Sequence, residues 1–321
     1  MIDIGWMDME IKYESGICLK DGKKKIILDP SRQSEVGVVT HGHLDHLVKD
    51  AYMTIPTLDI LEVRKGEKRG KGMHYATPTE IGGFQVTLYP AGHVFGSSMV
   101  QVEDVLYTGD FNPYGGKTCK RAAPYDCETL IIESTYGKPS YRLPHKDGVT
   151  EDFMAWTRQQ LDEGPVVFGA YKFGKAQEVI ALLNELGEVP YVTEDIAELC
   201  DVYNKYDQGL EYQLPDGFEG NFTAVVPPGE IKRPIGDIAR IARKKNGSSA
   251  YLSGWCAFFP YFNSMDIDAQ FPFSDHAGFD ELLKFVEDCD PSKVLTVHGS
   301  DEEFAEVVEK ELGIDAEPLK K

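Results

Sequence analysis

The sequence predicts an α/β protein in which the first and last parts of the chain build one unit and the middle forms a second, inserted α/β unit. Three observations predict this. The chain has 321 residues, more than one ordinary core requires. Short apolar or alternating runs, broken by Gly, Pro and Asp, dominate as far as Glu133. From Val149 to about residue 250 strand and helix patterns alternate instead.

The elements follow in order. Ile17-Cys18-Leu19 and Ile26-Ile27-Leu28 read as two strands joined by the turn Asp21-Gly22-Lys23, a hairpin signal. Val36-Gly37-Val38-Val39-Thr40 reads as a buried strand. Phe84 to Tyr89, Met99 to Val102, Val105 to Tyr107 and Leu130 to Glu133 supply further strands. A helix is expected over Val149 to Leu161, where Val149, Phe153, Trp156 and Leu161 share a face. The strand Val166-Val167-Phe168 then leads through Gly169 to a helix over Lys175 to Leu186. After the apolar segment Tyr251 to Trp255 come the loop 273–278, a helix over Phe279 to Cys289 with Leu282, Leu283, Val286 and Cys289 on one side, and a strand Val294 to Val297. We therefore expect one unit from residues 1–148 and 252–321, with 149–251 inserted. No internal repeat or low-complexity tract is evident.

Composition narrows the class. No basic start followed by an apolar stretch opens the chain, and no run of about 18 apolar residues occurs. A soluble cytoplasmic protein without a membrane partner is expected. The six cysteines, Cys18, Cys119, Cys127, Cys200, Cys256 and Cys289, form no Cys-x-x-Cys pair and read as reduced, buried thiols. The net charge of −20 weighs against a polyanion-binding surface as a whole. Basic residues nevertheless cluster at Arg64, Lys65, Lys68, Arg69 and Lys71, at Lys117, Lys120 and Arg121, and at Arg240, Arg243, Lys244 and Lys245, each of which also reads as a solvated face.

The main functional clue is the hexapeptide His41-Gly42-His43-Leu44-Asp45-His46, placed where the Val36 to Thr40 run ends. Imidazoles and a carboxylate are the usual ligands of zinc-like ions, and this spacing on a tight turn can aim two side chains at one ion and two at another. His93 in Ala91-Gly92-His93-Val94-Phe95-Gly96 and Asp110 in Tyr107-Thr108-Gly109-Asp110-Phe111 each follow a strand-like run beside glycines. Alone, His93 reads as an ordinary hydrogen-bonded histidine and Asp110 as a turn residue. Beside the hexapeptide they read as ligands, with an aspartate able to bridge two ions.

The order His-x-His-x-Asp-His, His93, Thr-Gly-Asp110, with Asp29 ending an early strand, closely resembles the metallo-β-lactamase superfamily. Ile132-Glu133-Ser134-Thr135-Tyr136-Gly137, Gly174-Lys175-Ala176-Gln177-Glu178, Ser274-Asp275-His276-Ala277 and Val297-His298-Gly299 resemble, in order, the motifs of its β-CASP nucleases. The resemblance covers nearly the whole chain and is nearest to the compact branch called mRNA 3′-end processing factor-like or ligase-associated exonuclease. It implies an αββα sandwich with an inserted α/β β-CASP domain. Lys175 stands where arginine is more frequent, and no attached RNA-binding module is evident.

By the same resemblance, His41, His43 and His93 would hold one zinc, and Asp45, His46 and His298 the other. Asp110 would bridge the two, with Asp29 behind the ligands. Manganese or iron could replace zinc. Hydrolysis of phosphodiesters is implied, with water activated at the centre, His276 protonating the departing 3′ oxygen, and Glu133 orienting its imidazole and keeping it protonated near neutral pH. Asp45, Asp110, Glu133 and His276 are thus the catalytic candidates, and Ser134, Lys175 and Ser274 the candidate substrate contacts. Plainer readings stay open: Glu133 can cap the next turn, and His276 can start a helix beside Asp275. The aromatic stretch Trp255, Phe258, Phe259, Tyr261 and Phe262 reads either as packing or as a surface on which bases stack. His74 and His145 fit no motif and read as surface residues. The expected partner is single-stranded RNA, in exonucleolytic RNA processing, with DNA as the close alternative and a small-molecule metallohydrolase as a reading of another class.

Overall fold

The computed structural model describes residues 9–34, 36–43, 50–66, 69–232, 236–259 and 267–320. The first sheet runs in chain order through β1 (Glu10–Tyr13), β2 (Ile17–Asp21), β3 (Lys24–Leu28), β4 (Gly37–Val38), β5 (Tyr52–Thr54) and β6 (Lys71–Met73), with α1 (Ile55–Lys65) between the last two. The predicted hairpin is β2–β3, in register from Ile17 opposite Leu28 to Asp21 opposite Lys24. Gly22 takes φ 57° in its turn, a region a side chain would resist.

The second sheet begins with β7 (Thr79–Ile81), β8 (Phe84–Pro90), β9 (Ser98–Val102), β10 (Val105–Tyr107) and β11 (Thr129–Ser134). In β8 the alternation is direct: Phe84, Val86 and Leu88 are buried while Gln85 is exposed. After β11 the chain leaves this sheet for a long excursion through α2 (Lys146–Glu163), β12 (Val166–Gly169), α3 (Lys175–Glu185), β13 (Tyr191–Val192), α4 (Glu194–Asn204), β14 (Thr223–Val226), α5 (Pro228–Lys232), α6 (Asp237–Lys244), β15 (Ser248–Leu252) and β16 (Ala269–Phe271). These strands form a separate, wholly parallel sheet in the order β13-β14-β12-β15-β16. Its last strand lies beyond residue 251. The chain then returns through α7 (Phe279–Cys289), β17 (Lys293–Gly299), α8 (Asp301–Leu312) and β18 (Asp315–Pro318), completing the second sheet as β18-β17-β11-β10-β9-β8-β7.

Packing explains the layers. Leu19, Ile26 and Val38 of the first sheet meet Val86, Val100, Tyr107 and Ile131 of the second in one apolar core. The other face of the second sheet, through Leu106, Leu130 and Ile132, packs on Phe279, Leu282, Phe285 and Val286 of α7 and on Phe304 and Val308 of α8. Leu58 and Leu61 of α1 cover Val39 and Met53 beside the first sheet. The result is the expected αββα sandwich with an added α/β unit. Strand β11 sits between β10 and β17, parallel to both, and is buried from Leu130 to Ser134, as a strand covered on both faces must be. The excursion has its own core around Phe153, Phe168, Ile180, Leu183 and Leu252, continuous with Ile60, Val94 and Phe95 of the sandwich. Tyr206 Oη also donates to Asp59 at 2.8 Å across this contact.

No helix among the described residues is long and apolar enough to cross a membrane. Cys18, Cys200 and Cys289 are buried, whereas Cys119, Cys127 and Cys256 are only partly so, and all six thiols are free. His74 is exposed, and His145 accepts from Asp147 N–H at the start of α2.

Candidate metal centre and active site

The residues singled out by sequence lie at or just beyond the carboxyl ends of strands. His41 and His43 follow β4, His93 follows β8, Asp110 follows β10, Glu133 ends β11 and His298 ends β17, while His276 precedes α7. Backbone shape aims several of them. Asp29, after β3, and His298 adopt φ 45° and 57°, unusual for side-chain-bearing residues. The β11–β17 register shifts between Glu133 and Ser134, which turns the strand end. Gly299 takes φ 78°, and a Cβ there would stand 2.4 Å from Ser134 O, so only glycine fits this turn.

One ligand atom from each of His41, His43, His93 and Asp110 falls within 4.8 Å of the others. His41 Nε2 lies 3.6 Å and His93 Nε2 3.7 Å from Asp110 Oδ2. His93 Nε2 lies 3.3 Å from His43 Nδ1. The hydrogen bonds behind the rings fix which nitrogen faces inward. Asp29 accepts from Thr40 N–H and Thr40 Oγ1–H, both at 2.8 Å, and from Tyr107 Oη–H at 3.0 Å. Because the one hydroxyl proton of Thr40 goes to Asp29, its oxygen accepts from His41 Nδ1–H at 2.9 Å, leaving the Nε2 lone pair inward. His93 Nδ1–H likewise donates to Asp275 O at 3.1 Å. Gly42 O accepts from Arg64 at 2.6 Å, steadying the turn between His41 and His43.

The electrostatics match. Burial, reinforced by the neighbouring His93, pushes His43 down to about 3, and burial also lowers His93, so both imidazoles are neutral as metal ligands must be. Burial works against charge on Asp110, but the neighbouring histidines, the protonated His276 foremost, outweigh it and hold its carboxyl well below the usual range. Converging neutral imidazoles around a carboxylate fit a borderline divalent cation such as zinc. Asp45 and His46 lie outside the described residues.

A second cluster adjoins the first through Asp110, whose ligand atom lies within 4.8 Å of those of Glu133 and His276. Glu133 is fully buried and receives His276 Nδ1–H on both oxygens, at 2.9 and 3.0 Å, as well as Phe111 N–H at 2.8 Å and the Thr135 hydroxyl. Burial opposes the imidazolium of His276, yet Glu133, with smaller help from Asp110 and Asp275, raises it to about 9. The imidazole is therefore protonated at neutral pH, with Nε2 as the nitrogen able to give a proton.

The three candidate substrate contacts are placed otherwise than expected. Ser134 is buried, and its hydroxyl donates to the carbonyls of Val297 and His298, anchoring the His298 turn. Ser274 Oγ accepts His276 N–H at 3.0 Å and donates to His276 O at 2.9 Å, so it shapes the loop that presents the imidazole. The side chain of Lys175 is only 4% exposed, and its ammonium donates to Phe273 O and Asp275 Oδ1, both at 2.7 Å. All three are spent inside the protein. Of the aromatic stretch, Trp255 is 37% exposed and packs on Tyr136 at 4.7 Å between ring centroids; Tyr261 and Phe262 lie outside the described residues. Thr40, Arg64 and Asp275 escaped the sequence reading as positioning groups. Thr40 adjoins the predicted ligand His41, and Asp275 the catalytic candidate His276; Arg64 stands out only as part of a basic cluster.

Comparison with known proteins agrees with this geometry. Residues 266–317 match the family described as "Zn-dependent metallo-hydrolase RNA specificity domain". The chain is 30% identical to a probable DNA ligase of Opitutus terrae over 97% of its own length but spans only 31% of that protein. It is 25% identical to RNase aCSPSF2 of Saccharolobus solfataricus, covering 98% of this chain and 80% of the relative. It is 32% identical to the cleavage and polyadenylation specificity factor subunit 3 of Dictyostelium discoideum over 42% of this chain and 19% of that protein. By fold, motif order and these relatives, the chain belongs to the β-CASP nuclease family of the metallo-β-lactamase superfamily.

Proposed function

We propose that this chain hydrolyses phosphodiester bonds of single-stranded nucleic acid at a two-metal centre, with RNA favoured and attack from a strand end. The observation that carries the reading is the Glu133–His276 pair beside Asp110. A sugar oxygen leaving phosphorus is a poor leaving group unless it receives a proton, and a buried carboxylate devoted to keeping one imidazole charged supplies that proton. Hydrolysis of a thioester, whose thiolate leaves readily without a proton, makes no comparable demand.

His41, His43 and His93 would hold one ion, Asp45, His46 and His298 the other, and Asp110 both. Zinc, or manganese or iron in its place, would supply an activated water and neutralise charge on the phosphoryl oxygens. Thr40 and Asp275 keep the proton of His41 and His93 on the outward nitrogen. Glu133 fixes the plane of His276 with two hydrogen bonds, and His276 Nε2–H is delivered to the departing 3′ oxygen. We assign 149–251 together with β16 (Ala269–Phe271) to the inserted domain and the remainder of 1–148 and 252–321 to the catalytic sandwich. The substrate strand would lie between the two.

RNA is supported by the matched RNA specificity domain and by relatives named as an RNase and a polyadenylation factor subunit. DNA repair is the second reading, supported by the relative named as a probable DNA ligase. Otherwise identical RNA and DNA strands, labelled separately at each end and incubated with zinc-loaded protein and an Asp45→Ala control, test the proposal. RNA cleavage from one end, lost in the control, is expected. DNA-only cleavage transfers the protein to repair, and inertness on both overturns the nuclease reading.

A further inference from the structure

The first turn of α3, which belongs to the inserted unit, grips the loops on both sides of His93. On one side, Lys175 donates to Asp275 Oδ1 and Phe273 O, both at 2.7 Å, and Asp275 O in turn accepts from His93 Nδ1–H at 3.1 Å. On the other, the buried carboxylate of Glu178 accepts Lys117 N–H and Thr118 N–H, both at 2.8 Å, together with the Thr118 hydroxyl. The next residue, Cys119, donates its thiol to Gly92 O at 3.3 Å, one residue before His93. The loop comes so close to this carboxylate that a Cβ at Gly116 would stand 2.4 Å from Glu178 Oε1. Gly174 takes φ 87° as the helix starts, which lets Lys175 and Glu178 face the sandwich.

A lysine side chain so enclosed gives up hydration and rotamer freedom, and its ion pair with Asp275 must offset a cost of several kcal/mol per buried ion. Such a pair adds little stability beyond an apolar substitute, whereas it does specify position. What it positions is a backbone carbonyl that decides the tautomer and the plane of one imidazole in the donor cluster. Groups that hold the outer nitrogen of a ligating histidine typically change metal affinity or activity by about 10- to 100-fold when lost.

We propose that Lys175 is a positioning residue through which docking of the inserted unit sets His93, so that the metal affinity of the sandwich depends on a side chain from the other unit. The inference rests on the metal-centre reading and assigns Lys175 away from the substrate phosphates. Loss of the contact loosens the His41–His43–His93 donor set.

The test uses the full chain and zinc alone, without substrate. Zinc affinity is measured by competition with a chromogenic chelator for wild type, Lys175→Met, Lys175→Arg and Lys175→Met/Asp275→Asn, with circular dichroism to verify folding. Lys175→Met is expected to weaken zinc binding by roughly 10- to 100-fold, and Lys175→Arg to recover most of it. The double variant leaves no uncompensated buried charge, so it keeps the proposal testable if Lys175→Met does not fold. It is expected to bind zinc as weakly as Lys175→Met. Wild-type affinity in the double variant overturns the proposal, since stray charge rather than lost position would then explain the single variant. Unchanged zinc affinity in Lys175→Met, with a raised KM for oligonucleotides, also overturns it and returns Lys175 to the phosphates. Because the readout involves no nucleic acid, failure of the nuclease reading leaves a different signature: normal zinc behaviour with no cleavage.

Discussion

Glu133 holds His276 by both carboxylate oxygens, at 2.9 and 3.0 Å from Nδ1, across a sequence separation of 143 residues. Glu133 also accepts Phe111 N–H at 2.8 Å, one residue after Asp110, so one carboxylate fixes both the proposed proton donor and the backbone beside the proposed shared ligand.

Replacing Glu133 by Gln keeps the shape and removes the charge. Burial then opposes the His276 imidazolium with only Asp110 and Asp275 to offset it, so its pKa falls from about 9. The alkaline limb of the pH–rate profile should move to lower pH, and kcat at neutral pH should fall by about 10²- to 10⁴-fold, the range for a lost general acid. An unchanged profile would remove His276 from proton transfer.

The same pair makes stability depend on pH. His276 has a folded pKa raised from 6.5 to about 9, so the stabilisation is full below about 6.5 and fades as pH rises through about 9. For metal-free protein the effect is on the order of 3 kcal/mol at most. Urea unfolding between pH 6 and 10 should show this loss in wild type and a flatter curve in His276→Gln.

Thr40→Val preserves volume but removes the hydroxyl between Asp29 and His41. His41 then loses the acceptor that keeps its proton outward, and Asp29 loses a donor. Zinc affinity is expected to drop by about 10- to 100-fold, with Thr40→Ser near wild type. Chelator competition measures it; equal affinity in Thr40→Val would mean that the ring is oriented by packing alone.

Asp110→Asn removes the carboxylate on which His41, His93 and His276 converge. In wild type, adding zinc should raise the melting temperature with zinc concentration, since a ligand held only by the folded state stabilises it by mass action. The variant should show little of this rise in a thermal-shift titration.

Much of the fold was legible because its strongest elements are local. The helices over Phe279–Cys289 and Lys175–Glu185 and the β2–β3 hairpin carry their periodicity or turn chemistry in the sequence itself. The candidate metal ligands stand out as residue types in a spacing, and the structure brings four of them, His41, His43, His93 and Asp110, together. Ser134, Ser274 and Lys175 misled because a hydroxyl or an ammonium beside a catalytic motif looks the same in sequence whether it faces a ligand or a backbone carbonyl. Only the three-dimensional accounting of hydrogen bonds decides that. Arg64 steadies Gly42 from α1, a relationship that no spacing reveals.

The wide separation of Glu133 and His276 has a consequence for biogenesis. During synthesis the amino-terminal segments, with His41, His43, His93 and Asp110, emerge long before His276 and His298, and at about 5–20 residues per second the interval lasts many seconds. A nascent chain in that interval holds the residues of one donor cluster but lacks both the acid and Asp275, whose carbonyl orients His93. On the nuclease reading proposed above, it would be inert until the last helices, α7 and α8, have left the ribosome and closed over the second sheet.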